Sequence, residues 1–114
     1  MDAPKTATFL HELGPSEGWL STNRVKLYRL DPPCPVRTLA EPIIGAGSPL
    51  TQYVAVSSTA YSSRSGKPET IVFLTNSAGK TKLSDLLTQA SVQAFDAFEQ
   101  ALAMLGYTLS PINS

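Results

Sequence analysis

The side chains that most often carry catalysis are scarce in this sequence. His11 is the only histidine and Cys34 the only cysteine among 114 residues. A nucleophilic serine or cysteine needs a general base beside it, and no motif around His11 or Cys34 indicates that the two meet. Zinc sites are built from sets of cysteine and histidine ligands, which one residue of each type does not supply. We therefore predict no catalytic residue, no metal site and no cofactor, and a protein that is not an enzyme.

A glycine–lysine pair is the feature closest to a phosphate-binding loop. The sequence Ala78-Gly79-Lys80-Thr81 directly follows an apolar segment. A phosphate-binding loop requires a second glycine five positions before this one, so that backbone amides can surround the phosphates. That position is Leu74. We predict a hairpin turn here instead.

Two carboxylates, Asp96 and Glu99, stand three residues apart. On a helix this spacing places both on one face, offset from the apolar stripe that contains Phe95 and Phe98. Acid–base catalysis uses carboxylates that burial has tuned, and an exposed pair lacks that burial. We predict that this pair belongs to a solvated helix surface.

One predicted strand carries a basic and aromatic face. Arg24, Lys26 and Tyr28 alternate along it and share one side. Basic groups with an interleaved aromatic ring can hold a nucleic-acid backbone and stack a base. A domain built for that task is normally basic overall, whereas this chain balances nine Lys and Arg against nine Asp and Glu. Nucleic-acid binding through this face, with Arg64 and Lys67 nearby, is therefore the alternative hypothesis.

The same residue types favour a protein interface. Tryptophan, tyrosine and arginine dominate the hot spots of protein–protein complexes. The candidate partner-binding residues are Trp19, Arg24, Lys26, Tyr28, Tyr61 and Arg64. For each of the aromatic rings, ordinary packing in the core or in a loop is the competing explanation.

The elements that position these residues include three predicted strands, over residues 24–30, 53–61 and 69–75. The first alternates polar and apolar side chains, which directs Val25 and Leu27 toward the core and Tyr28 away from it. Three prolines between residues 32 and 35 are predicted to end this strand, because proline has no N–H for a strand ladder. A long loop then runs to residue 50, and residues 81–83 are a candidate short edge strand.

A helix is predicted within residues 84–105. Its apolar side chains recur at spacings of three and four: Val92, Phe95, Phe98, Leu102 and Leu105. Gly106 stands where a left-handed terminal cap is expected. The side with Phe95, Phe98 and Leu102 is predicted to seal the inner surface of the sheet.

Together these elements predict an α+β fold, in which a small antiparallel sheet of three to four strands packs against one C-terminal helix. Residues 1–22 are predicted to be an irregular, partly ordered N-terminal arm with a helical turn over residues 8–13. Residues 23–110 are predicted to form a single domain, followed by a frayed tail at 111–114.

The cellular compartment is inferred from what the sequence lacks. A single cysteine cannot form an intramolecular disulfide, and the first residues do not read as a signal peptide. No apolar run approaches the roughly 20 residues that a membrane span needs. We expect a cytoplasmic protein that does not enter the membrane.

Three segments in order carry a resemblance to a known group. They are Leu27-Tyr28-Arg29-Leu30-Asp31-Pro32-Pro33, then Tyr53-Val54-Ala55-Val56-Ser57, then Glu69-Thr70-Ile71-Val72-Phe73 running on to Ala101-Leu102 and Gly106-Tyr107. This order resembles small uncharacterised accessory proteins of actinobacterial phages, over about residues 24–107. It departs from that pattern in the turn, which is Ala78-Gly79 rather than an Asp-Gly type, and in Leu74 where proline is usual.

The resemblance implies no enzyme activity and assigns no catalytic residues. It implies a small accessory product in the host cytoplasm that contacts a host or phage macromolecule. We therefore expect a non-enzymatic binding protein with a protein partner. A nucleic-acid-binding module and a structural or assembly component that forms a homo-oligomer are the two alternatives.

Overall fold

The computed structural model describes residues 4–15, 24–36, 44, 48–61, 66–80 and 88–110. Within these residues the chain forms strands and one helix in the order β1 (Thr6–Leu13), β2 (Arg24–Pro35), β3 (Leu50–Thr59), β4 (Glu69–Leu74), β5 (Ala90–Val92), α1 (Phe98–Met104) and β6 (Thr108–Leu109).

The strands form one six-stranded sheet in the order β5-β4-β3-β2-β1-β6. Neighbouring strands are antiparallel except β1 and β6, which run parallel. The sheet curls into a half-barrel around the short helix α1. The predicted fold class, an antiparallel sheet of three to four strands against a longer helix, is therefore wrong. The protein is mostly sheet, and the sheet is mixed.

Strand β1 lies inside the segment that was predicted to be an irregular arm. Its residues pair with β2 along their whole length, so residues 6–13 belong to the sheet and not to a helical turn. The pairing shifts register between Phe9 and His11, which leaves Leu10 as an extra, bulged residue. This bulge interrupts the two-residue alternation, so Phe9, Leu10 and Leu13 have a spacing that looks helical.

Strand β2 continues through the prolines that were predicted to end it. Arg29 pairs with Tyr53, but the next pair is Cys34 with Thr51. The chain therefore makes a bulge between these pairs, and Pro32 lies exposed in it. Proline is tolerated in a sheet where no ladder hydrogen bond is required of it. The strand resumes beyond the bulge and ends at Pro35.

Both faces of the sheet are buried, each by its own set of apolar residues. The face under α1 packs Tyr28, Leu30, Val54, Val56, Val72, Phe98, Ala101, Leu102 and Tyr107 into the larger cluster. The opposite face packs Leu13, Val25, Leu27 and Ala55 into a smaller one. Val25 and Leu27 are buried as predicted, but in the smaller cluster, and the side of β2 with Tyr28 is the one that the helix covers.

Helix α1 is shorter than the periodicity indicates. It spans Phe98–Met104, whereas Val92 lies in β5 and Phe95 lies in the intervening turn with 45% of its surface exposed. Phe98 and Leu102 are buried as expected, but Phe95 is not. The predicted edge strand at 81–83, the first turns of the predicted helix and the tail at 111–114 lie outside the described residues.

The glycine predicted to terminate the helix does so. Gly106 has a φ of 89°. Its N–H bonds the Ala103 carbonyl, and the Tyr107 N–H bonds the Leu102 carbonyl. These two bonds are the terminal arrangement that satisfies the last helical carbonyls and that favours glycine at the left-handed position.

Candidate functional site at the Arg24 end of the sheet

Exposed polar groups gather at one end of the sheet, where β2 begins and β3 finishes. Arg24 opens β2 opposite Ser58, and Tyr61 follows shortly after Thr59, the last residue of β3. We call this region the Arg24 end. The region around Cys34, at the other extremity of β2, is called the Cys34 end.

Arg24 is held by two carboxylates that come from distant parts of the chain. Its guanidinium lies 2.7 Å from Asp96 Oδ2 and 3.8 Å from Glu12 Oε1. The same guanidinium lies 5.7 Å from the centroid of the Phe98 ring. All three charged side chains are substantially exposed, so each pair contributes about 0–1 kcal/mol of stability. The main effect of this cluster is to fix where the Arg24 charge is presented.

Lys26 lies over two aromatic rings on the same side of the sheet. Its Nζ atom is 4.5 Å from the centroid of Phe98 and 5.4 Å from that of Phe9. A lysine over a ring face gains roughly 0.5–2 kcal/mol from the ring quadrupole. No ion pair joins Lys26 to a carboxylate within the described part of the chain. The two rings therefore fix the position of the Lys26 side chain, which stays partly exposed.

Tyr28 was predicted to join this surface, and that expectation is wrong. It does share a side of β2 with Arg24 and Lys26, but α1 covers that side at Tyr28, which is only 1% exposed. Desolvation by burial raises the pKa of Tyr28 to about 12, while the nearby Arg24 charge lowers it by a smaller amount. Tyr28 is a core residue that no partner can reach from the surface.

Two buried hydroxyls position the turn that carries Asp96. Ser58 Oγ accepts the Asp96 N–H at 2.7 Å and lies 3.1 Å from Thr70 Oγ1. Thr70 donates its hydroxyl proton to the Ala94 carbonyl at 2.7 Å and accepts the Ala97 N–H at 3.2 Å. Because the neighbouring strands β3 and β4 supply these hydroxyls, the turn is tied to the sheet.

The sequence analysis missed the roles of Ser58, Thr70 and Asp96. Asp96 adopts a φ of 57° in the turn, a left-handed conformation in which Asp and Asn are enriched. Asp96 and Glu99 are both exposed, as predicted. The prediction that both lie on the helix is wrong, since Asp96 precedes α1 and binds Arg24. Ser58 and Thr70, which lie within the predicted strands, were the available signal. A buried hydroxyl needs a hydrogen-bond partner, and here the partners are in the turn before α1.

Tyr61 is the most exposed aromatic residue that the structure describes, at 74%. Its backbone is held by Thr59, whose hydroxyl accepts the Tyr61 N–H at 3.3 Å and donates to the Tyr61 carbonyl at 3.2 Å. The ring lies close to Gly66. A tyrosine whose main chain is ordered and whose ring faces solvent loses little conformational freedom on binding. Trp19 and Arg64, the other two predicted partner-binding residues, lie outside the described residues.

The potential catalytic residues are far apart. His11 is exposed and its Nδ1 lies 3.0 Å from the Glu12 carbonyl. It pairs across the sheet with Leu27, which stands opposite Ala55, whereas Cys34 stands opposite Thr51. Four residues of β3 at about 3.3 Å each therefore place Cys34 roughly 13 Å further along the sheet. Cys34 is buried and its Sγ donates to the Pro35 carbonyl at 3.3 Å. Burial raises the pKa of the Cys34 thiol, and a hydrogen bond with Tyr107 lowers it by less.

The glycine–lysine segment forms a turn whose amides are already engaged. The Asn76 side-chain oxygen accepts the N–H groups of Ala78 and Lys80. Gly79 has a φ of 81°, and a side chain there would collide with Leu13. Glycine is therefore required by the turn itself, as expected for a hairpin and not for a phosphate loop.

In residues 4–15, 24–36, 44, 48–61, 66–80 and 88–110, no three His, Cys, Asp or Glu side chains are grouped so that they could hold a metal ion. In the same ranges, no helix has the length and apolar character that a bilayer span requires.

The fold and the site define a small mixed-sheet protein in which Arg24, Asp96 and the exposed Tyr61 ring lie at one end of the sheet. No protein-family model matches the sequence, and comparisons with curated proteins and with solved structures found no match. The resemblance to phage accessory proteins therefore rests on the residues quoted above and stays a prediction.

Proposed function

We propose that this chain is a non-enzymatic binding protein that contacts another protein through the Arg24 end of the sheet, with Tyr61 as the anchor. The observation that carries this proposal is the exposure of Tyr61 on an ordered backbone. Arg24 and Lys26, fixed by carboxylates and rings, supply polar contacts nearby. An aromatic anchor surrounded by orientable charges is the usual composition of a binding hot spot.

The sequence resemblance extends this proposal to a biological setting. In that setting the chain is a phage accessory factor that acts in the host cytoplasm and modulates a host or phage protein. The far separation of His11 from Cys34 supports a role in binding, because a nucleophile without a base at hand has no means of activation.

Capture from an actinobacterial lysate tests the proposal. We expect tagged wild-type protein to enrich at least one protein, and Tyr61→Ala to lose it. Met104→Ala is the matched control, because Met104 is 65% exposed on the helix and the truncation removes similar apolar surface. The proposal is contradicted if Tyr61→Ala captures the same proteins as wild type, or if nothing is enriched over beads alone.

The nucleic-acid alternative receives less support from this arrangement. The Arg24 charge is shared with Asp96 and Glu12, and the tyrosine that was to stack a base is buried. Filter binding at low and high salt separates the two hypotheses, because phosphate contacts make affinity fall steeply with salt. We expect no binding at low salt, and salt-sensitive binding that Lys26→Ala weakens would favour the alternative.

A further inference from the structure

Among the described residues, β6 covers only part of the outer edge of β1. Strand β6 pairs with Thr6 and Ala7 alone. Within the residues that the structure describes, no strand pairs with β1 beyond these two positions on that side. We call residues 9–12 the β1 edge. Backbone groups at such an edge can hydrogen-bond another strand.

The contacts with β6 show which residues of β1 turn their backbone outward. The carbonyls of Lys5 and Ala7 accept the N–H groups of Thr108 and Ser110 at 2.9 Å and 2.8 Å. Because direction alternates along a strand, the next residue whose backbone faces outward is Phe9.

The bulge then changes this alternation. Phe9 pairs with Tyr28, but His11 pairs with Leu27, so Leu10 is an extra residue in β1. Beyond Leu10, the residues whose backbone N–H and C=O point away from β2 are therefore the even-numbered ones. The next outward residue is Glu12. Side-chain positions agree, because Phe9 packs against the helix-side cluster and Glu12 reaches Arg24 on that same side.

Phe9 and Glu12, the two residues of the β1 edge whose backbone N–H and C=O point outward, are therefore three positions apart. In a regular antiparallel ladder the bonded positions recur every two residues, so an ordinary strand cannot match both. A second copy running in the opposite direction presents the same spacing in reverse. Phe9 of one copy then lies opposite Glu12 of the other, and Leu10 lies opposite His11.

The charges on the helix side are complementary in this register. The Glu12 side chain is 61% exposed, and Lys26 Nζ lies 5.4 Å from the Phe9 ring. Pairing about a two-fold axis normal to the sheet keeps the helix side of both copies on one side. The Glu12 carboxylate of each copy is thereby brought to the Phe9 ring that Lys26 of the other copy covers.

We propose that two copies of this chain associate through antiparallel pairing of the β1 edge, with Phe9 opposite Glu12. This inference goes beyond the proposed function, since Tyr61 follows β3, two strands away from β1. A contact of a few edge residues falls short of the roughly 1,200–2,000 Å² buried in stable complexes. The dimer is therefore weak and depends on concentration.

Sedimentation equilibrium of the full chain tests this, from about 1 μM to about 1 mM, a range that covers weak complexes. We expect wild type to shift from monomer to dimer. Glu12→Lys sets the introduced ammonium group against Lys26 of the second copy, and Lys26→Glu sets two carboxylates together. Each variant alone is expected to raise the dissociation constant by about tenfold or more, as like charges oppose pairing.

An equimolar mixture of Glu12→Lys and Lys26→Glu distinguishes contact between copies from effects inside one chain. When one variant pairs with itself, both contacts between positions 12 and 26 join like charges, two lysines in Glu12→Lys and two glutamates in Lys26→Glu. In the mixed pair each contact joins one lysine and one glutamate. Where the two variants pair with each other, we expect the dissociation constant to return to within about threefold of wild type, as charge complementarity across an interface requires. Met104→Lys, which adds an exposed charge on the helix, is expected to leave the association unchanged.

Two outcomes would overturn the inference. One is a monomer for wild type at every concentration. The other is a mixture that stays monomeric while both variants keep a wild-type circular dichroism spectrum. If Lys26→Glu fails to fold, Leu10→Lys tests the same edge, and unchanged association in that variant also counts against the inference.

Discussion

Two tyrosines at opposite ends of the sheet show how differently the same residue type is used in this protein. Tyr61 at the Arg24 end is 74% exposed, whereas Tyr107 at the Cys34 end is 3% exposed. The Tyr107 hydroxyl donates to the Pro32 carbonyl at 2.5 Å, and Lys5 Nζ lies 5.9 Å from its ring. One ring stabilises the fold and the other is left in solvent.

The difference follows from the elements around each residue. Tyr107 follows the helix cap at Gly106 and enters the cluster that fills the space between α1 and the sheet. Tyr61 follows the last residue of β3, where the chain leaves the sheet. The Cys34 end is therefore closed by packing, while the Arg24 end is ordered by hydrogen bonds and ion pairs that leave its side chains in solvent.

Tyr107→Ala is expected to have the largest effect, because it removes a buried ring and its hydrogen bond. Truncation of a large buried aromatic side chain lowers the free energy of unfolding by about 3–5 kcal/mol. Urea denaturation measures this loss. A decrease of only about 0.5 kcal/mol, the size of a typical surface effect, would show that the Cys34 end is not closed.

Ser58→Ala is expected to have the next largest effect, this time at the Arg24 end. The change leaves the Asp96 N–H without its acceptor, while the Thr70 hydroxyl keeps the Ala94 carbonyl. An unsatisfied buried polar group costs about 1–3 kcal/mol. Gln93→Ala, a substitution at an exposed position nearby, serves as the control in the same denaturation experiment. Equal stability of the two variants would mean that the hydroxyls do not hold the turn.

The pH dependence of stability reports on the two buried tyrosines. Burial raises the pKa of Tyr28 and of Tyr107 to about 12, from 10.0. The neutral phenols thus favour the folded state, and this contribution is complete below pH 10 and is lost as the pH rises toward 12. We expect the free energy of unfolding to fall over that window and Tyr107→Phe to make the fall shallower. If the free energy of unfolding of Tyr107→Phe falls with pH as steeply as that of wild type, Tyr107 does not contribute to the pH dependence and its raised pKa is contradicted.

Asp96→Asn is expected to have the smallest effect on stability. The exposed Arg24–Asp96 pair contributes about 0–1 kcal/mol, and asparagine tolerates the left-handed conformation that Asp96 adopts. Thermal melting at low and high salt measures the change. A loss well above 1 kcal/mol that persists at high salt would mean that Asp96 acts mainly through the turn and not through its charge.

The centre of the sheet and the helix cap could be predicted from the sequence. Strands β2, β3 and β4 follow from alternation and from apolar runs, and Gly106 follows from its position after the helical stripe. These signals are local, so no knowledge of tertiary contacts is needed to recognise them.

The outer strands and the orientation of β2 could not be predicted in the same way. A bulge at Leu10 gives β1 a helical spacing, and β5 and β6 are too short to show any period. Because both faces of the sheet are buried, alternation along β2 identifies two sides without showing which one the helix covers. Tyr28 was therefore placed on the wrong surface, and Asp96 was assigned to a helix that begins only after it.

Binding and stability measured together in two tyrosine variants test the account most directly. Using the protein that wild type captures from lysate, we expect Tyr61→Ala to lose binding and to unfold like wild type, and Tyr107→Phe to keep binding and to unfold at lower denaturant. The reverse pattern, with binding retained in Tyr61→Ala and lost in folded Tyr107→Phe, would contradict the division between an open Arg24 end and a closed Cys34 end.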